Sequence, residues 1–390
     1  PGSARRMTGP LRQRLAGRSP GDLAAAAVDR SATWLRDHQP GRVRSACYAP
    51  HSAMYFNPDG SVKACCATGH GIGTVTGPDR RPLRDIWAGA ALALQRQRLE
   101  DGRFDLGCQE CDIAVTGGDR SAVFAADFDR WRHGAPHAWP KLLDLALSNR
   151  CNLACIMCNG DLSSTIRVKR EGRAPLPPAY DDRFFDELAE LLPHVDRVQF
   201  KGGEPFLAPE NWRVWDLMAS LGVVCETYIV TNGTVWNDRV KDLVRTLRPE
   251  LAVSVDGVTA EVLEGIRVGT DREELWANID RFQTLSATTG RVLTLNFCLL
   301  RRNWTELPAF LAEVDRRGVR CNIIPINQPT EHDLFRLPQG ELEAVLASLA
   351  SIPPLRPNPQ TQLDRIRRRL EAQIAEPTPI EVSVNLTTPS

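Results

Sequence analysis

From about residue 141 onward, short apolar runs alternate with longer stretches whose apolar positions recur at helical spacing. The apolar runs are 141–148 "KLLDLALS", 196–201 "DRVQFK", 225–231 "CETYIVT", 251–256 "LAVSVD", 293–300 "LTLNFCLL" and 321–326 "CNIIPI". Their length and β-branched content predict strands. Amphipathic stretches near 181–192, 209–221, 237–247, 271–285, 304–318 and 339–351 predict the helices between and after them. Six strand–helix repeats point to an α/β fold with a parallel sheet and helices outside it. Curled, such a sheet is an open relative of the TIM barrel, a partial (β/α)6 barrel whose chemistry sits at the C-terminal ends of its strands. After a Pro-rich linker, "PPLRPNPQ", a last helix near 361–375 carries the run "RIRRRLE", expected to be a solvated face.

The first 140 residues read differently. Residues 21–37 have helical spacing, "YFNPDGSVKACC" has a Pro-Asp-Gly turn between strand-like arms, and "PLRDIWAGAALALQRQRLEDG" reads as one helix stopped by Gly102. Four segments follow: an N-terminal helix in 1–40, a small irregular domain in 41–120, the partial barrel in 138–352, and a linker with a C-terminal helix in 353–390.

Composition narrows the function. The chain has 390 residues and no net formal charge, so nothing points to nucleic acid. No apolar run approaches the roughly 20 residues of a membrane span, and the N-terminus lacks a secretory layout. A cytoplasmic protein without membrane partners is expected. Eleven cysteines in a chain this long do not suggest a disulfide framework. They fall into groups: Cys47, Cys65, Cys66, Cys108 and Cys111 early, then Cys151, Cys155 and Cys158 within eight residues, then Cys225, Cys298 and Cys321 singly.

The tight group, in "SNRCNLACIMCNGD", directly follows the first barrel strand. Three thiolates on one loop can hold three irons of a cubane cluster and leave the fourth open. A zinc ion would want a fourth Cys or His nearby, and 141–193 holds none. The spacing Cys151-x3-Cys155-x2-Cys158, with "KGGEP" ending the second strand, "TNG" the third and "SVDG" the fourth, resembles the radical S-adenosylmethionine (SAM) superfamily. The resemblance implies a [4Fe-4S] cluster on the three cysteines. It implies that Gly202, Gly203 and Glu204 receive the SAM amino group. Asn232 lies in the third strand-end segment, and Ser254 and Asp256 belong near the SAM ribose or carboxylate. The family often has an aromatic residue before its third cysteine; here Met157 stands there, and its backbone is expected to meet the adenine. Arg267 and Asn327 are further pocket candidates.

Upstream, Cys47, the "DGSVKACC" hairpin, "IGTV", "LRDIW" and "CQEC" resemble a SPASM or twitch module, which binds an auxiliary iron–sulfur cluster. Matched position by position, Cys47, Cys65, Cys108 and Cys111 are the implied ligands of an auxiliary [4Fe-4S] cluster, with Cys66 an alternative to Cys65. A structural zinc on four cysteines is the competing reading. The module usually follows the barrel, and here it precedes it.

Strand alternation places Val198 and Phe200 toward the helices and Gln199 and Lys201 toward the barrel interior. Likewise Leu295, Phe297 and Leu299 face out, while Asn296 and Cys298 face in. Cys298 is a candidate hydrogen-atom donor to a substrate radical, or else a core cysteine. Lys201 is expected to meet a substrate anion, Glu204 or Asp256. Cys225 and Cys321, at strand starts, read as core. The function expected is hydrogen abstraction from a polar small molecule such as an aminosugar, nucleoside or amino-acid-derived natural product, giving epimerisation or oxidation. The electron donor would be a flavodoxin or ferredoxin. Maturation of a ribosomal peptide and sulfur transfer from the auxiliary cluster remain open; only some forty residues precede Cys47, fewer than a leader-binding domain needs. A non-catalytic iron–sulfur carrier would have no use for the GGEP and SVDG segments.

Overall fold

The computed structural model describes residues 45–112, 124–132 and 137–375. The helix expected at 21–37 lies outside them. Nine strands form one sheet in the order β3-β2-β1-β4-β5-β6-β7-β8-β9. The six barrel strands are β4 (Leu142–Leu145), β5 (Arg197–Phe200), β6 (Glu226–Thr231), β7 (Glu250–Ser254), β8 (Thr294–Leu299) and β9 (Arg320–Pro325). Each pairs with the next in parallel. This is the α/β partial barrel that the alternating pattern predicts.

β1 (Ala53–Phe56), β2 (Ser61–Lys63) and β3 (Gly71–Thr74) come from the N-terminal segment. They form an antiparallel meander, and β1 also pairs in parallel with β4, Ala53 opposite Leu142 through Phe56 opposite Leu145. The cysteine-rich segment therefore shares the barrel's own sheet.

Helices α1 (Ala49–Ser52), α2 (Leu83–Trp87) and α3 (Ala90–Glu100) belong to that segment. The single helix expected over 82–102 is thus two. The break falls at Gly89, whose backbone turns extended at the start of α3. A side chain there would sit 2.8 Å from the Asp85 carbonyl oxygen, so glycine permits the close approach.

The barrel helices are α4 (Asp182–Leu191), α5 (Pro209–Ser220), α6 (Asp238–Leu247), α7 (Ala260–Ile266), α8 (Arg272–Thr288) and α9 (Leu307–Arg317), followed by α10 (Gln339–Ala350) and α11 (Pro357–Ala375). α4, α6, α7 and α8 start where Asp181, Asn237, Thr259 and Asp271 accept from backbone N–H groups three residues on. The short α7 had no counterpart in the periodicity. Val198, Phe200, Leu295, Phe297 and Leu299 are fully buried in the core under these helices. Cys321 is buried in the same core and Cys225 packs at its margin.

β9 ends the sheet, and α11 covers its open edge. Asn358 accepts from the Cys321 N–H, Gln362 accepts from the Ile323 N–H, and Arg365 donates to the Ile323 carbonyl. Arg369 reaches Asn327 and lies over the Phe335 ring. Positions 358, 362, 365 and 369 form one helical stripe. The basic run is therefore not a uniformly solvated face: Arg365 and Arg369 turn inward, because an uncovered strand edge would leave backbone groups unpaired. Among the described residues no helix is long and apolar enough to cross a membrane.

Candidate active site

Beyond β4 the chain enters the loop that carries Cys151, Cys155 and Cys158. The loop is tied down on all sides. Its Ala154 and Ile156 N–H groups donate to the Val268 and Ile266 carbonyls, at 2.8 and 2.9 Å. Ser163 and Thr165 donate to the Leu153 and Cys151 carbonyls, each at 2.7 Å. Arg170 donates to the Cys155 and Cys158 carbonyls. These partners hold the backbone and leave the sulfurs to a few weak contacts: Leu153 N–H on Cys151 at 3.5 Å, Asn232 Nδ2 on Cys151 at 3.9 Å, Arg267 Nη1 on Cys155 at 4.0 Å, and the Cys158 thiol to the Asn159 carbonyl at 3.7 Å. Burial pushes the Cys151 and Cys158 thiols up to about 11 and raises Cys155 too, against the opposing pull of the Arg267 charge. Such thiols are poor free nucleophiles; a metal that takes the thiolate relieves the cost.

Gly202 and Gly203 have positive φ, +70° and +43°. A side chain on Gly203 would stand 2.5 Å from the Arg150 carbonyl oxygen. The glycine lets the strand end lie flat against the cysteine loop, where the Glu204 N–H donates to the same carbonyl. Glu204 is fully buried and accepts from the Phe206 N–H, the Thr231 hydroxyl and, at 2.7 Å, the Asn232 N–H. Burial raises its carboxyl to about 7 against those donors. Asn232 also donates to Asn152 on the loop. Ser254 ends β7 and is buried, opposite Asn296 on β8. Met157 is half-buried on the loop between Cys155 and Cys158.

Asp256 and Arg267 are both buried and meet at 2.7 Å, Nη2 to Oδ2. The contact is ionic rather than an aligned hydrogen bond, since Oδ2 has no hydrogen-bond donor. Asp256 Oδ1 accepts from the Cys298 N–H at 2.7 Å, and Asn303 bridges the Asp256 and Cys298 carbonyls. Burial and the Asp256 charge push the Cys298 thiol well up. Cys298 thus adjoins Asp256, which Arg267 links in turn to Cys155.

Lys201 meets neither Glu204 nor Asp256. Its ammonium bonds Asp144 on β4 at 2.9 Å. Asn327 serves Arg369 and not the interior. The inner face of the sheet is polar: Asp144, Gln199, Lys201, Tyr228, Asn296 and Asn322. Asn322 donates to Asn296, which also meets Tyr228.

The second cysteine group lies elsewhere. Cys47, Cys65, Cys108 and Cys111 line one apolar cavity of about 380 Å³ of empty space, part of it open to solvent, and Cys66 does not line it. Burial raises Cys47 and Cys111 and takes Cys65 up to about 12. The cavity wall includes Phe124 and Phe128. It packs near Ala53 and Leu142, the first residues of β1 and β4, whereas Cys151 follows the last residue of β4. The two groups therefore sit toward opposite ends of the sheet, and the four residues of β4 alone span about 13 Å.

Among the described residues no three candidate side chains converge as ligands on a single ion would. Cubane thiolates go to separate irons and need not converge on a point. Four thiols on an apolar cavity, and three on one pinned loop, are the donor sets such clusters take. Sequence reasoning missed Arg170, Ser163, Thr165 and Asp144. The basic stretch "IRVKR" just past the loop marked Arg170, and the lone acid inside "KLLDLALS" marked Asp144; Ser163 and Thr165 had no signal.

A model of the radical SAM superfamily matches residues 145–313, and one of an iron–sulfur cluster-binding domain, SPASM, matches 47–112. Mycofactocin maturase MftC of Mycobacterium tuberculosis is 31% identical over 186 residues, 47% of this chain and 44% of the relative. GTP 3',8-cyclase of Chlorobaculum tepidum is 25% identical over 196 residues, 49% of this chain and 55% of the relative. The chain thus matches about half the length of these curated relatives. The structure of native anSMEcpe with bound AdoMet superposes with a TM-score of 0.40 at 16% identity, covering 53% of this chain and 58% of that one. The chain carries a radical SAM domain preceded by a SPASM-type domain, which together imply a [4Fe-4S] cluster, SAM and an auxiliary iron–sulfur cluster.

Proposed function

We propose that the protein is a radical SAM enzyme that abstracts hydrogen from a polar small molecule held in the barrel interior, with epimerisation or oxidation as the outcome. The carrying observation is the pinned three-cysteine loop, stacked on Gly203 and coupled through Arg267 to Asp256. Cys151, Cys155 and Cys158 would hold the cluster, and Gly202, Gly203 and Glu204 the SAM amino end. When bound, cluster and SAM supply reductive cleavage to methionine and a 5′-deoxyadenosyl radical. The protein's part is positioning. Arg170 fixes the loop, and Arg267 neutralises buried Asp256 while directing an N–H at Cys155, the kind of contact that tunes a cluster's potential. Asp144, Lys201, Tyr228 and Asn296 give the interior the polarity of a hydroxyl- or amine-bearing substrate. An iron–sulfur or flavin protein such as ferredoxin or flavodoxin would supply the electron. Cys298, adjoining Asp256, is the proposed hydrogen donor in an epimerisation.

A second reading is maturation of a ribosomally made peptide, favoured by the 31% match to mycofactocin maturase.

The test is SAM cleavage by the anaerobically reconstituted chain with dithionite. We expect 5′-deoxyadenosine, and about eight irons per chain falling to about four in the Cys151/Cys155/Cys158→Ala variant. Cleavage retained by Cys155→Ala would sink the proposal.

A further inference from the structure

Thr68 and Gln95 line the four-cysteine cavity, and among the described residues they are its only lining side chains that carry oxygen or nitrogen. Both are buried, with 3% and 1% of their surface exposed. Both meet the Cys108 sulfur. The Thr68 hydroxyl oxygen and Gln95 Nε2 each lie 3.8 Å from it.

Hydrogen accounting fixes the direction of these contacts. A hydroxyl has one hydrogen to give and two lone pairs to accept with. The Thr68 oxygen already accepts twice, from the His70 N–H and from Gln95 Nε2, each at 3.1 Å. Its own hydrogen is left for the Cys108 sulfur. Gln95 Nε2 carries two hydrogens, one for the Thr68 oxygen and one for the sulfur. As a thiol, Cys108 turns its proton to the Leu106 carbonyl at 3.6 Å. A metal ligand is the thiolate, which has no proton and only accepts.

The other end of the Gln95 amide, Oε1, is buried without a hydrogen-bond partner. An amide turned the other way would point that oxygen at the thiolate and lose both donations. Leaving Oε1 unpaired costs free energy, which a contact to a charged sulfur offsets.

We propose that Gln95 and Thr68 are positioning residues of the auxiliary cluster, donating an N–H and an O–H to the Cys108 thiolate. Reduction adds negative charge to a cluster, and donors aimed at a ligand sulfur stabilise that charge. The pair therefore raises the cluster's reduction potential from the Cys108 side. The inference rests on the four cysteines holding an iron–sulfur cluster rather than zinc.

The test is a redox titration of the iron-reconstituted chain, followed by electron paramagnetic resonance. Cys151/Cys155/Cys158→Ala is the background, so that only the auxiliary cluster contributes. We expect Gln95→Leu and the near-isosteric Thr68→Val each to shift the reduction equilibrium about fivefold toward the oxidised form, the order of one lost hydrogen bond. At about 59 mV per tenfold for one electron, the midpoint moves about 40 mV more negative. Thr68→Ser keeps the hydroxyl and should hold the unsubstituted midpoint. Unchanged midpoints in Gln95→Leu and Thr68→Val would overturn the proposal. So would equal shifts in Thr68→Val and Thr68→Ser, which packing alone would produce. Should Gln95→Leu lose its iron, the comparison of Thr68→Val with Thr68→Ser still decides. A background chain that binds zinc and no iron would overturn the proposal at its premise, and metal analysis separates that failure from the others. The titration needs no SAM, so its outcome is independent of SAM cleavage.

Discussion

Arg267 holds Asp256 at 2.7 Å with one guanidinium nitrogen and approaches the Cys155 sulfur to 4.0 Å with the other. One side chain thus joins the end of β7 to the cysteine loop. Removing it strands a buried carboxylate. Arg267→Met should cost about 3–5 kcal/mol, as loss of one partner of a buried pair does. Arg267→Met with Asp256→Leu should recover much of that loss. Urea unfolding of the two variants measures both, and equal stability of the single and double variants would contradict the pairing.

Gly203 is the contact between the second strand end and the loop. Gly203→Ala places a methyl against the Arg150 and Ser148 carbonyls, at a φ of +43°. The expected result is a destabilisation of about 1–3 kcal/mol together with weakened SAM binding. Equilibrium dialysis with SAM reads the second effect. Unaltered binding would mean the loop does not depend on that approach.

His51 predicts how the cysteine-rich segment responds to acid. It is buried, and burial, then Arg96, lower its pKa from 6.5 to about 4. Glu100, 3.5 Å from Nε2, would favour the charged ring, but it is exposed and burial prevails. The unfolded chain binds this proton more readily than the folded one. The contribution is therefore full above pH 6.5 and is lost as pH falls toward 4, by about 3 kcal/mol in all. Melting temperatures across pH 4–7 should show a shallower acid slope in His51→Gln than in wild type; identical slopes would rule His51 out as the source.

The cover on β9 can be tested amide by amide. Gln362→Ala leaves the Ile323 N–H without its acceptor, for about 1–3 kcal/mol. Hydrogen exchange should speed up at Ile323 and its neighbours and remain slow in β5. Unchanged protection at Ile323 would mean another group covers the edge.

Much of the barrel was legible because its signals are local. A strand such as 294–299 declares itself by alternation, with Leu295, Phe297 and Leu299 against Asn296 and Cys298. Helices announce their starts through Asp181, Asn237 and Asp271. The three-cysteine loop was equally readable, since its ligand spacing is contained in eight residues. The short α7 escaped because seven residues hold too few turns for periodicity, and the split at Gly89 because the flanking pattern continues across it.

The sequence by itself determined the order of strands and helices, which faces are apolar, and which cysteines belong together, for these follow from near-neighbour residue types. Only the tertiary structure decided that Lys201 pairs with Asp144, fifty-seven residues away, and that Cys65 and Cys66 face different surroundings. It also decided that Arg170 and Arg267 brace the loop, that α11 covers β9, and that the N-terminal meander continues the barrel's own sheet. Each of these depends on which long-range partner satisfies a buried charge or an unpaired backbone group. That choice is set by the packed whole, because desolvation penalises every alternative left without a partner.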